Sequence, residues 1–321
     1  GIEMVDGGCI GARFGVVLAT GGFTHDADRR RENLPSTMSD YSATFPGATG
    51  DGARLAEMVG ARFTSTVSGN AFLAPVSTYI RMDGSSAVFA HTVSDRAKPG
   101  LIAVNRRGER FVNEAVSYHE FGRSLLALQE EGSGVKATAW LIADASFVWK
   151  YGLGAVKPKS LNKKFFVSRG YLVTASSIAH LEKKLMLPSG ALINTIQEYN
   201  RFSRKGDDPM FGRGSNAYQR FLGDQEVKPN PCVAPIWRPP FFAVKVEVGD
   251  LGAAAGLDTD YSSRVLDGDQ KPIQGLYACG ADARSVMEGC YPGPGITLGP
   301  AITFGYLAAM DIVARANRRS K

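Results

Sequence analysis

Two short apolar runs that end in glycine turns, GVVLATGGF at residues 15–23 and GLYACGADA from residue 275, set the strongest constraint on this chain. A buried parallel strand enters a tight turn at its carboxyl end in this way, and in open α/β sheets ligands gather outside those ends. Glycine at such a turn lets the backbone come close to a phosphate. Shortly after the first run, Thr49-Gly50-Asp51-Gly52 precedes ARLAEMVGA, whose Leu55, Met58 and Val59 share one helical face. Asp51 is therefore expected to cap that helix or to face a bound cofactor.

The stretch between the two runs has a different character. LIAVNRRGERFVN, residues 101–113, alternates apolar and polar residues around Arg107-Gly108 and reads as two strands joined by a turn. From Glu114 the pattern becomes helical, with Phe121, Leu125 and Leu128 at suitable spacing. Residues 178–204 hold two helices split by Pro188-Ser189-Gly190, and a Gly/Asp/Pro-rich loop follows. After Pro239-Pro240, FFAVKVEVGDLG is a strand, QGLYACGADA is another, and residues 297–316 form a closing helix. This order implies an α/β fold, one domain being interrupted by an inserted α+β substrate domain. The expected bounds are 1–78 and 253–321 for the interrupted domain and 79–252 for the insert. A chain of 321 residues, 44% hydrophobic and 21% charged, is of a size for two domains.

No run approaches the roughly 18 to 20 apolar residues that a membrane span needs, and no signal peptide is recognisable, so the cytoplasm is the expected compartment. Cys9, Cys232, Cys279 and Cys290 lack the close pairing of a zinc site and are expected to be reduced thiols. His25, His91 and His180 also lack metal spacing, which leaves them surface or structural roles and no metal site. The net charge of +6 is spread along the chain, apart from Arg29-Arg30-Arg31 and the terminal Arg318, Arg319 and Lys321, so no nucleic-acid partner is expected. The chain opens at Gly1 rather than a methionine, and an upstream segment is expected.

The most specific stretch is GLYACGADARSVMEGCYPGPGITLGPAITFG, residues 275–305: a strand, a glycine turn, then Gly293, Gly295 and Gly299 at the opening of a helix. It resembles the closing flavin-binding motif of the flavoprotein superfamily that contains fumarate reductases and 3-oxosteroid dehydrogenases. ATGGF, ATGDGARLAEMVGA, NRRGERFVNEAVSYHEF, TIQEYNRFSRKGDDPMFGR and PFFAVKVEVGDLGAAAG stand in the order of that superfamily as well, so the resemblance covers essentially the whole chain. It implies a Rossmann-like FAD-binding domain whose Gly-x-Gly-x-x-Gly unit for the ADP moiety is missing here. That unit is expected upstream of Gly1 or on a separate chain, and the present chain alone is expected to hold FAD poorly. The implied cofactor-binding residues are Gly21, Gly22, Gly50, Asp51, Gly52, Gly280, Asp282, Gly295, Thr297 and Leu298. The closing helix would then aim its positive end at the reduced flavin.

Branches of the superfamily differ at the flavin. Dicarboxylate reductases pair their substrate with several cations, because a buried dianion must be neutralised. VKVEVGDLGAAAG has no histidine before its glycines, and GADARSVMEGCYPGPG has no HGANR-like run, although Arg284 lies nearby. Tyr291-Pro292-Gly293-Pro294-Gly295 is instead similar to 3-oxosteroid 1-dehydrogenases. That resemblance implies a carbonyl held by the Tyr291 hydroxyl and the Gly295 N–H, with Tyr118 in EAVSYHEF as the base that removes the alpha proton, and hydride passing to FAD. A phenol of pKa about 10 must fall to about 7 to act so, which needs about 4 kcal/mol of selective stabilisation. His119 and Arg123 are the neighbours in this chain that could contribute. Arg106, Arg107 and Arg110, beside Asn113 and Glu114, are expected to brace the turn through ion pairs.

The implied function is 1,2-dehydrogenation of a 3-oxosteroid or another hydrophobic ketone, with an external electron acceptor. Two alternatives stay open at this stage. One is a related dehydrogenase or ene-reductase acting on another ring position or enone. The other is a non-catalytic subunit or fragment that needs its N-terminal complement.

Overall fold

The computed structural model describes residues 1–4, 6–129 and 134–319, so Lys321 of the terminal basic group lies outside the described residues. The chain forms two compact units. Residues 1–35, 44–72 and 250–321 make the first, and residues 36–43 and 73–249 make the second. The fold is mixed α/β.

In the first unit, Val16–Leu18 pairs in parallel with Pro272–Ala278, which pairs antiparallel with Arg264–Leu266. Leu18, Ala56, Leu257, Val265 and Ala278 form its buried core. Helix Asp51–Glu57 packs through Gly52, Ala53 and Ala56, whereas Leu55, Met58 and Val59 are exposed. Small residues allow the closer approach, so the face carrying the larger side chains stays outside. Asp51 is not the cap: Gly50 holds that position in a left-handed conformation, and the Asp51 carboxylate takes the Thr49 hydroxyl and Arg54. The closing helix spans Leu298–Arg319. The basic triplet is neutralised locally, Arg29 by Glu57, Arg30 by the buried Asp250 and Arg31 by Asp28.

The second unit is built on a six-stranded sheet in the order Ser86–Ala90, Ala71–Ile80, Phe241–Ala253, Thr138–Ala143, Leu101–Val104, and Val173–Ala175 also pairs with Phe241–Ala253. Helices Ile178–Lys184 and Ala191–Ser203 flank the Pro188 to Gly190 break, and their Leu181, Leu192 and Ile196 share a core with Ile102, Ile142 and Ala243. The turn after Val104 forms, with Gly108 N–H donating to Asn105 O, but the second expected strand is reduced to one bridge between Val104 and Arg110. Beyond it the chain leaves the sheet because Arg110 turns into a buried ion cluster. Arg110 donates to Glu114 at 2.7 and 2.9 Å and to Asp208 at 2.8 Å, and Arg213 donates to Glu114 at 3.1 Å. Burial opposes the Arg110 charge, but Glu114 and Asp208 outweigh it and raise its pKa. Arg107 pairs with Glu109, whereas Arg106 donates to the Thr138 hydroxyl rather than to an acid. The following helix starts at Tyr118 and not Glu114, because Ser117 caps it by accepting Glu120 N–H.

Candidate active site

In the first unit the glycine segments, remote in sequence, are joined through one carboxylate. Asp282 is buried and accepts from Thr20 N–H, from the Thr20 hydroxyl at 2.9 Å and from Gly22 N–H at 3.1 Å. The Thr20 oxygen in turn accepts Gly52 N–H at 3.1 Å, and Gly50 N–H donates to Gly22 O at 2.9 Å. A Cβ on Gly52 would meet the Thr20 oxygen at 2.8 Å, and one on Gly22, whose φ is +79°, would meet Ala281 O at 2.8 Å. Glycine is required at both positions by close packing. Gly21, Gly22, Gly50, Gly52, Gly280 and Asp282 are thus brought together, while the Asp51 side chain is exposed at their margin. Thr20 was missed by the sequence reading; its place directly after the first apolar run was the available signal.

The opening of the closing helix has a different surface. Gly295 adopts φ +98°, a Cβ there would meet nothing within 4 Å, and its N–H donates to no other group among the described residues. Gly293 and Gly299 face open space too. Thr297 and Leu298 are exposed in the first turn, where backbone N–H groups lack helical partners and favour negative charge. Tyr291 packs edge-on against Phe72, ring centroids 5.5 Å apart, on a small apolar cluster with Ala254, Met287 and Ile296. Phe72 is a second residue that the sequence reading missed.

A cavity of about 300 Å³ borders Ala253, Gly280, Ala281, Ile296, Thr297 and Phe304. Its charged lining residues are Asp260, Arg284 and Glu288, and Asp260 pairs with Arg264. Arg284 contacts Asp258 at 3.2 Å and Glu288 at 3.3 Å, and the other carboxylate oxygen of Glu288 is buried without a partner among the described residues. The bare glycine backbone and the helix start fit a flat cofactor that gains negative charge on reduction.

Tyr118 belongs to the second unit, where it is buried, 4% exposed, as the first residue of helix Tyr118–Leu126. The loop before it is pinned by the buried Arg96, which donates to Glu114 O at 2.9 Å and Val116 O at 3.2 Å and lies over the Phe121 ring. Burial pushes the Arg96 guanidinium down to about 10. His119 accepts Leu73 N–H on Nδ1 at 3.1 Å, and burial lowers its pKa, so it faces this bond as neutral imidazole. Arg123 is exposed beside Glu120.

His91 has a structural place. Its Nδ1 lies 2.6 Å from Asp95 and its Nε2 2.7 Å from the Ser77 hydroxyl, which also bonds Tyr171 at 2.8 Å. Burial pushes the Asp95 carboxyl up, but His91 and Arg96 outweigh it and hold the pKa below the ordinary value. The Ser–His–Asp order is that of a nucleophile relay, but all three side chains are buried and the serine oxygen is shared with Tyr171, so the chain of bonds ties the Ala71–Ile80 strand to the 154–171 segment. His25 contacts Thr44 O and His180 is exposed. All four cysteines are free. Among the described residues no group of histidine, cysteine and acid side chains is arranged for a metal, and no helix is long and apolar enough to cross a membrane.

The chain is 39% identical over 310 residues to the 4-oxocyclohex-2-ene-1-carboxylate 5-dehydrogenase of Sinomonas cyclohexanicum, which covers 96% of this chain and 52% of that protein. It is 38% identical over 312 residues to the 3-oxosteroid 1-dehydrogenase of Mycolicibacterium smegmatis, covering 96% and 53%. The crystal structure of 3-ketosteroid delta1-dehydrogenase from Sterolibacterium denitrificans in complex with 1,4-androstadiene-3,17-dione superposes with a TM-score of 0.85 at 38% identity, over 94% of this chain and 54% of that one. The chain therefore spans about half the length of the curated relatives it matches. The model of the FAD binding domain family matches residues 7–298, and the chain belongs to that family of FAD-dependent proteins.

Proposed function

We propose that this chain forms part of an FAD-dependent dehydrogenase that introduces a 1,2 double bond into a 3-oxosteroid. The names of the two relatives both describe oxo-substituted ring compounds, one neutral and one carboxylated, and their identities to this chain are nearly equal. The pairing of Arg284 carries the choice between them. Arg284 is already shared by Asp258 and Glu288 and is not free to clamp a substrate carboxylate, so a neutral ketone is favoured.

Tyr291 O–H and Gly295 N–H donate to the substrate carbonyl oxygen, which makes the adjacent C–H acidic. Tyr118 accepts that alpha proton on its phenolate oxygen. Bound FAD supplies the hydride acceptor, held by the glycine turns and by Thr297 and Leu298 at the helix start. Asp282 holds the Thr20 to Gly22 turn in the shape the cofactor needs. An external electron acceptor would reoxidise bound FAD.

Anaerobic mixing of the full-length enzyme with a neutral 3-oxosteroid should bleach the flavin absorbance, and 4-oxocyclohexanecarboxylate should do so far more slowly. The reverse preference would move the assignment to the carboxylated ring ketones.

A further inference from the structure

One surface of the second unit is both strongly basic and apolar. Between Asp144 and Glu182 the sequence has no acidic residue and six basic ones, Lys150, Lys157, Lys159, Lys163, Lys164 and Arg169. Lys150 is paired with Asp224 and Glu226, and the other five make no ion pair among the described residues. Leu161 stands among them 90% exposed, with Trp149 at 46% and Val167 at 36%. The helix Lys163–Ser168 has no buried residue. The patch is contiguous, because Lys163 lies over the Trp149 ring at 5.5 Å and Lys159 N–H donates to Trp149 O. It is also seated firmly: Phe166 packs against Tyr79 and Tyr171, and Tyr171 joins the buried Ser77, His91 and Asp95 bonds.

We infer that residues 157–169, with Trp149, form a docking surface for the anionic face of a lipid bilayer. Five unpaired cations give the charge complementarity, and lysine can keep its ammonium among headgroups while its stem lies along apolar surface. Leu161 and Val167 have no counterpart on a nucleic acid, whose phosphates and bases call for cations and stacking rings. On a bilayer these aliphatic side chains enter the acyl boundary, and Trp149 lies at headgroup depth. The inference is independent of which ring ketone the enzyme takes.

The test is co-sedimentation of the full-length holoenzyme with phosphatidylcholine vesicles, with and without phosphatidylserine, and in parallel retention on heparin and on duplex DNA. The protein should sediment with the anionic vesicles only. The triple variant K157Q/K159Q/K164Q should bind them about a hundredfold more weakly, since each cation near such a surface contributes roughly fivefold. Leu161→Ser, which removes the apolar side chain without adding charge, should weaken vesicle binding and leave heparin retention unchanged. Should the triple variant unfold, Lys157→Gln and Arg169→Gln singly carry the same test at about fivefold each. The inference is overturned if the wild-type protein ignores anionic vesicles or if the lysine variants bind them as the wild type does. It is also overturned if Leu161→Ser binds vesicles unchanged, which would mark a general polyanion or nucleic-acid patch.

Discussion

Thr20 and Asp282 lie 262 positions apart in sequence and are joined by two hydrogen bonds, from the Thr20 N–H and from its hydroxyl, to one carboxylate. That link holds the first glycine turn against the last strand of the first unit. Asp282→Asn replaces one acceptor oxygen with an N–H₂ group that faces N–H donors. It should destabilise the protein by about 1–3 kcal/mol, the cost of leaving a buried donor unsatisfied. It should also weaken FAD binding in the full-length protein. Urea unfolding and flavin titration check the two effects, and an unchanged variant would show that the turn keeps its shape without the carboxylate.

Arg284 distinguishes neutral from carboxylated substrates. Its guanidinium is shared between Asp258 and Glu288, so Arg284→Ala should change turnover of a neutral ketone less than about tenfold. A substrate carboxylate that relied on this cation would be left buried and unpaired, and turnover would fall more than about a hundredfold.

His119 gives the protein a pH dependence of defined sign. Burial holds its pKa below the ordinary 6.5 in the folded state, so the unfolded chain takes up the proton first as pH falls. The stabilising contribution is present in full above about 6.5 and is lost as pH drops through the folded value. His119→Gln should flatten the fall of unfolding free energy in that window, measured by urea melts at a series of pH values. Parallel slopes in the two proteins would assign the acid sensitivity to other groups.

The local signals were legible in the sequence. Glycine turns marked both strand ends of the first unit, and Pro188-Ser189-Gly190 marked the break between two helices. The pairing of Arg110 with Glu114 was also within reach, because both lie in one short segment. Arg213 and Asp208 join that cluster from about a hundred residues away, and single-sequence periodicity carries no information about such contacts. For the same reason the buried Asp282 was read as a cofactor residue without its bonds to Thr20 and Gly22. The Asp51 cap failed because Gly50 could adopt the left-handed turn that the helix start uses. The run without acidic residues between Asp144 and Glu182 is visible in the sequence, but that its lysines at 157–164 make no ion pair among the described residues is visible only in the fold.

The role of Tyr118 is tested most directly by exchange of the substrate alpha proton with deuterated solvent, using the full-length enzyme, oxidised FAD and a ketone analogue that cannot release hydride. The wild-type enzyme should exchange that proton. Tyr118→Phe should retain FAD and lose exchange, and Tyr291→Phe, which removes one of two carbonyl donors, should exchange roughly 10²- to 10³-fold more slowly. Exchange by Tyr118→Phe at the wild-type rate would contradict the assignment and place the base elsewhere.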